Sequence, residues 1–153
     1  MASSARPSPA RPSPLPRSAF RHFIRLETRW HDNDALGHVN NVVYYSYFDT
    51  AVNRHLAEAG LLDTQVSSIA SYVVETGCVY FESVAFPENL EIGMAVTKIG
   101  RSSVTYRLGL FREGGAACVA LCHYTHVYVE RISGKPVAIP TANRALFASI
   151  GDE

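Results

Sequence analysis

The stretch WHDNDALGHVNN, residues 30–41, gathers two acids, two histidines and three asparagines into twelve positions of a chain that is only 18% charged. Four kinds of chemistry could use such a cluster: metal ligation, helix capping, carboxylate catalysis or the local hydrogen bonding of a loop. For metal, His31, Asp32, Asp34 and His38 offer four ligands within eight residues. Their spacing matches neither a helical His-x-x-x-His face nor a closed structural site, so no metal is expected. A second set, Cys118, Cys122, His123 and His126, falls in a strand-like segment. There, residues four apart stand about 13 Å from one another at 3.3 Å per residue, too far for one tetrahedral ion.

Nucleophilic and phosphate chemistry find no motif. The chain has no G-x-S-x-G elbow, and the pairs Ser67-Ser68 and Ser102-Ser103 have no base in their sequence context. It has neither a Walker loop nor G-x-G-x-x-G, so no nucleotide cofactor is expected. What remains is a carboxylate next to the start of a helix. The first turn of a helix leaves about four N–H groups without intrahelical partners and carries roughly half a positive charge, which suits it to polarise a carbonyl. Asp32 or Asp34, a few residues upstream of Asn40, Asn41 and Val42, can fold back to the same place and direct water, or attack, at an acyl carbon. The same acids could equally cap the helix or order the loop.

The elements that must hold this cluster can be read around it. Residues 20–30, FRHFIRLETRW, place Ile24, Leu26, Thr28 and Trp30 on one parity, which predicts a first strand. NNVVYYSYFDTAVNRHLAEAGLL has apolar groups at helical spacings around most of its circumference, with Asn40 as N-cap and Gly60 as the stop. This predicts one helix of about five turns that has to be wrapped on several sides. Four further segments read as strands: IASYVVETGCVYFESVAF with Gly77 suited to a bulge, NLEIGMAVTKIG, SSVTYRLGLFR and AACVALCHYTHVYVER. Short turns between them predict an antiparallel meander, and Thr141 to Ile150 a short closing helix. The expected class is α+β, a curved antiparallel sheet of about five strands around a single long helix.

Composition narrows the partners. With 153 residues, 47% of them apolar, and 14 acids against 14 bases, one domain over residues 19–153 is expected, with no field that invites nucleic acid or an anionic membrane. No stretch approaches the roughly 18 apolar residues of a membrane span. Three cysteines without secretory context favour free thiols and a cytoplasmic location. Residues 1–18, with a tandem ARPSP and no acid, read as a disordered tail; their bias also resembles a transit peptide, but the spaced prolines oppose the amphipathic helix such a peptide needs.

DNDALGHVNNVVYYSYFDTA resembles the signature of the hotdog-fold acyl-CoA thioesterases, the group typified by 4-hydroxybenzoyl-CoA thioesterase and its bacterial long-chain relatives. The likeness runs from about Ile24 to Phe147 and includes VYFESVAFPENLEIGMAVTKIGRSSVTY and SGKPVAIP. It implies hydrolysis of acyl-CoA to acid and CoA without a cofactor. Asp34 would be general base or nucleophile, and the backbone N–H of Asn41 would polarise the carbonyl. Asp32 would order the loop, and His38 and Asn40 would shape it and the subunit contact. Tyr44, Tyr47 and Phe48 could line the acyl pocket or simply form core. Lys98, Arg101, Ser102 and Ser103 in KIGRSS match the region that receives CoA phosphates, and a homodimer or homotetramer is implied. The 4-hydroxybenzoyl enzyme has proline directly after its acid where this chain has Ala35, so the resemblance does not assign that aromatic substrate. A non-catalytic acyl-thioester binding module and an enoyl-CoA hydratase of the same fold are the rival readings.

Overall fold

The Asn40 side chain accepts the Val42 N–H at 3.0 Å and starts α1 (Asn41–Glu58), and Gly60, at φ 70°, turns the chain out of it. These are the start and stop signals read from the sequence. The helix is 18 residues long and buries Tyr44, Tyr47, Phe48, Ala51, Val52 and Leu56. Groups that large on so wide an arc need cover from more than one side. A computed structural model, which describes residues 9–62 and 67–152, shows what supplies it. Strands β1 (His22–Glu27), β2 (Ile69–Tyr80), β3 (Asn89–Ile99), β4 (Ser103–Arg112) and β5 (Ala120–Glu130) form one antiparallel sheet in the order β1-β3-β4-β5-β2. The inner face presents Ile92, Met94, Leu108, Leu110, Ala120 and Tyr124 to the helix, and α2 (Thr141–Ser149) adds Phe147 to the same core. This is the hotdog arrangement, and its class and strand number agree with the expectation.

Three details differ from the sequence reading. Only β3, β4 and β5 form a meander. β2 pairs with β5 at the far edge, and the chain then crosses the end of the sheet through residues 81–88 to reach β3 beside β1. Wrapping a helix needs strands on both of its flanks, so the connection after β2 spans the barrel instead of turning back. The irregularity in β2 lies between Val73 and Glu75, not at Gly77. Gly77 instead makes room for the His123 ring, whose Cε1 would stand 2.4 Å from a Cβ at that position. Trp30 does not continue the strand parity: β1 ends at Glu27 and a 3-10 turn over Trp30–Asp32 leaves the indole 78% exposed.

The outer face has its own apolar cluster of Phe20, Phe111 and Cys118 with Phe23, Phe81 and Leu121 around it. Gly93 and Gly109 are direct partners across β3 and β4, and Phe20 lies over the space they leave; a Cβ on Gly109 would come within 2.5 Å of its ring. Of the expected tail, residues 1–8 lie outside the described residues. Pro16 bridges Ala117, and a 3-10 turn spans Arg17–Ala19.

His126 is buried on the inner face of β5, and its Nδ1 has no hydrogen-bond partner among the described residues. Burial pushes its pKa down from 6.5 to about 4, only partly opposed by the Asp49 charge. A histidine held neutral stabilises the fold fully above pH 6.5, and that contribution is lost as pH falls toward 4, because the unfolded chain takes up the proton first. The shift corresponds to about 3 kcal/mol. Urea unfolding at pH 7 and pH 4.5 is expected to show this acid loss, and His126→Phe is expected to flatten it; an equal acid loss in both chains would contradict the assignment.

Candidate active site

Asp34 sits in a tight loop between β1 and α1. Its backbone N–H donates to the His38 carbonyl at 2.9 Å and its carbonyl accepts from Gly37, at φ 82°, at 3.1 Å. Gly37 takes the left-handed backbone conformation that this turn requires. The half-buried carboxylate receives the Leu36 N–H at 2.8 Å on Oδ1 and a long contact from Asn40 Nδ2 at 3.4 Å on Oδ2. Because Asn40 Oδ1 caps Val42, one amide side chain joins the carboxylate to the helix start. The Asn41 N–H, at the first helical position, has no intrahelical acceptor.

These groups open on a cleft of about 340 Å³ lined on one side by Asp34, Leu36, His38, Asn41 and Tyr44, and on the other by residues 80–83. A second hollow of about 440 Å³ reaches Asp34 from the side of Trp30 and His31. The opposite wall is held close by one backbone bond, Val39 N–H to the Val84 carbonyl at 2.8 Å, and one bond to a side chain, Phe86 N–H to Asn33 Oδ1 at 3.0 Å. Arg112 secures that wall from behind, through Glu88 at 2.7 Å and through Glu82 and the Ser83 carbonyl.

Asp32 points the other way and is 0% exposed. It accepts from Tyr47 Oη at 2.6 Å, from the Arg29 N–H at 2.8 Å and from Arg29 Nε at 3.2 Å. Burial alone would raise its pKa, but these donors together hold it below the usual 3.8. Two neighbouring acids are thus sorted by environment, Asp32 into a buried network and Asp34 onto the cleft.

The other sequence candidates separate in the same way. His38, Asn40 and Tyr44 gather with Asp34 and Asn41. Tyr47 is committed to Asp32, and Phe48 is wholly buried in the core, so neither reaches the cleft. Arg101, Ser102 and Ser103 lie at the opposite end of the sheet: Leu110 pairs with Ala120, which pairs with Tyr80 at the cleft, and Ser103 stands seven residues up β4, about 23 Å at 3.3 Å per residue. Within one chain they do not meet the cleft. The facing wall of Tyr80, Phe81, Glu82 and Ser83 was not singled out as part of the site by sequence; its marks are the switch from the apolar CVYF to polar ES and its place in the stretch VYFESVAF that carries the resemblance.

Among the described residues no group of three or more His, Cys, Asp or Glu is arranged to hold a metal ion, and no helix is long and apolar enough to cross a membrane. Cys122 lies buried on the inner face of β5 while His123 is exposed on the outer one.

Comparisons with known proteins agree with this architecture. The structure is similar to the PA5185 protein of Pseudomonas aeruginosa strain PAO1, with a TM-score of 0.89 and 47% identity over 92% of this chain and 99% of that one. It shares its fold with Slr0204, a 1,4-dihydroxy-2-naphthoyl-CoA thioesterase from Synechocystis, at a TM-score of 0.76 and 15% identity, covering 82% and 94% of the two chains. By sequence it is 26% identical to YsmA of Bacillus subtilis strain 168 over 80% of this chain and 82% of that protein. The family model of the thioesterase-like superfamily matches residues 28–147, from the end of β1 to α2, and the chain therefore belongs to that superfamily.

Proposed function

We propose that the protein hydrolyses acyl-CoA thioesters, with Asp34 as general base toward water or as nucleophile and the Asn41 N–H receiving the carbonyl oxygen. The observation that carries this reading is the shared cleft: Asp34 and Asn41, the first residue of α1, line the same hollow and are joined through Asn40. In the general-base form, Asp34 takes a proton from water as its oxygen bonds to the acyl carbon. Negative charge grows on the carbonyl oxygen, where the helix start is positive. The C–S bond then breaks, and the proton goes to the CoA sulfur. In the nucleophilic form an Asp34 oxygen makes that bond first, the C–S bond breaks and CoA leaves as thiolate, and water then cleaves the resulting anhydride to free acid and Asp34, its proton passing to the CoA sulfur. The names of the related thioesterases support CoA as the carrier.

Incubating the protein with a panel of short, long and aromatic acyl-CoAs and a thiol-reactive dye tests the reading. Release of free thiol with at least one of them is expected. Binding without thiol release would point to a binding module, and loss of enoyl absorbance without thiol would point to a hydratase.

A homodimer belongs to the same proposal. β2 is an edge strand of 12 residues whose Tyr72, Val73 and Val74 are exposed, Val74 by 59%, and a long apolar edge of this kind offers unpaired backbone to a second copy. Leu36, 82% exposed, and Trp30 leave apolar surface on the rim of the Asp34 loop for a second copy or the substrate to cover. A partner chain is also the means by which Arg101, Ser102 and Ser103 can approach CoA phosphates. Light scattering is expected to give a dimer, or a tetramer built from two dimers, for the parent and a smaller particle for the double variant Val73→Lys, Val74→Lys. A parent that is monomeric at tens of micromolar (on the order of common interface affinities) would overturn this.

A further inference from the structure

The wall that faces Asp34 is tied to the first turn of α1 by one residue. Tyr80, the last residue of β2, donates its hydroxyl to the Asn41 carbonyl at 3.0 Å and stands edge-on to Tyr44 with ring centroids 4.9 Å apart. A carbonyl has two lone pairs, so Asn41 can accept from Tyr80 and still serve its helix. The Tyr80 carbonyl, in turn, accepts from the Arg11 guanidinium, and the same guanidinium lies 5.8 Å from the centroid of the Phe81 ring. A planar cation that donates at its edge and rests against an aromatic ring does what a lysine ammonium cannot do as well.

Arg11 could hold that wall only if it were itself held, and it is. A few residues downstream the Leu15 carbonyl accepts the Cys118 N–H at 2.9 Å. Arg17 then reaches Glu91 at 2.7 Å and the Gly115 carbonyl at 2.9 Å while lying 4.6 Å from the Phe23 ring. These bonds fasten the segment to β3, to the turn before β5 and to the outer cluster before it reaches Phe20. The result is a chain of contacts from an anchored strap on the outside of the sheet, through Arg11 and Tyr80, to Asn41 at the start of α1.

We infer that the segment ahead of β1 is a working part of the site, and that Arg11 and Tyr80 are positioning residues: Arg11 fixes the Tyr80–Phe81 wall, and the Tyr80 hydroxyl fixes the first turn of α1. This inference rests on the thioesterase reading for its effect on turnover, although the tether itself is a property of the folded chain. The two contacts act on different quantities. Loss of Arg11 loosens a wall that confines the bound acyl group, which weakens substrate binding. Loss of the Tyr80 hydroxyl loosens the amide that must meet the developing oxyanion, which slows the chemical step.

The test uses the full chain with three substitutions, Arg11→Ala, Arg11→Lys and Tyr80→Phe, read by amide hydrogen exchange without substrate and by acyl-CoA kinetics. Faster exchange is expected over residues 80–84 in Arg11→Ala, with partial recovery in Arg11→Lys, and over residues 41–46 in Tyr80→Phe. KM should rise about 3- to 10-fold in Arg11→Ala with kcat nearly unchanged, and kcat should fall about 3- to 10-fold in Tyr80→Phe with KM nearly unchanged, the scale of one hydrogen bond. Exchange in both segments equal to the parent overturns the tether, as does a pattern in which KM and kcat move together in both variants. A parent without thioesterase activity would sink the hydrolytic reading alone, and the exchange measurement would still decide the tether.

Discussion

Asp34→Asn is expected to lower kcat for acyl-CoA hydrolysis by about 10²- to 10⁴-fold, the usual worth of a positioned general base, while the protein stays folded. Asparagine keeps the shape and can still accept the Leu36 N–H, so the loop retains its main bond to this side chain. What it loses is the ability to take a proton or to bond to an acyl carbon. Steady-state kinetics with thiol detection, alongside thermal unfolding of both chains, checks this. Near-parental turnover would remove Asp34 from the mechanism. A parallel loss of activity and of unfolding temperature would turn its role into a structural one.

The neighbouring acid is expected to behave in the opposite way. Asp32→Ala should cost about 3–5 kcal/mol of stability, because it strands the buried Tyr47 hydroxyl and the Arg29 N–H without their acceptor. Tyr47 is fixed in the core side of α1, so it cannot turn to water. Asp32→Asn should be milder, since the Tyr47 hydroxyl and the Arg29 N–H both donate to Oδ2 and an amide oxygen in that place still accepts them. Chemical denaturation gives the magnitude directly. In whatever fraction remains folded, turnover per molecule should fall far less than in Asp34→Asn. If instead Asp32→Ala unfolds at the parental midpoint, the network around it contributes nothing to stability.

The contrast between these two acids shows what the sequence could and could not reveal. Both stand in the same polar run, and spacing alone left either free to be the reactive one; the resemblance to known thioesterases separated them. The structure separates them in space, with Asp32 facing inward to Tyr47 and Asp34 outward to the cleft. Local signals carried well: Asn40 and Gly60 bracket α1 because capping and left-handed backbone are decided by a few neighbouring atoms. Strand order did not carry, because β2 chooses β5 over β3 through pairing across 40 to 61 residues that no local pattern encodes. For the same reason Arg101, Ser102 and Ser103 could be named from their types but not located at the far end of the sheet. Tyr44 and Phe48 looked alike on the helix, and only packing sent Tyr44 to the cleft edge and Phe48 to the interior. Arg11 and Tyr80 escaped altogether, one inside a proline-rich segment and one an ordinary aromatic at a strand end, because their bonds span 69 and 39 residues.

Hydrolysis by this route requires the Asp34 carboxylate and the Asn41 amide to serve one reacting carbon. A crystal structure of the full chain with a non-hydrolysable acyl-CoA, in which a ketone replaces the thioester, tests this most directly. The account predicts the ketone oxygen within about 3 Å of the Asn41 nitrogen, the distance of an oxyanion-type hydrogen bond, with Asp34 on the opposite side of the carbonyl carbon. An analogue whose ketone lies outside the cleft formed by residues 34–44 and 80–83, in every subunit of the assembly, would contradict it.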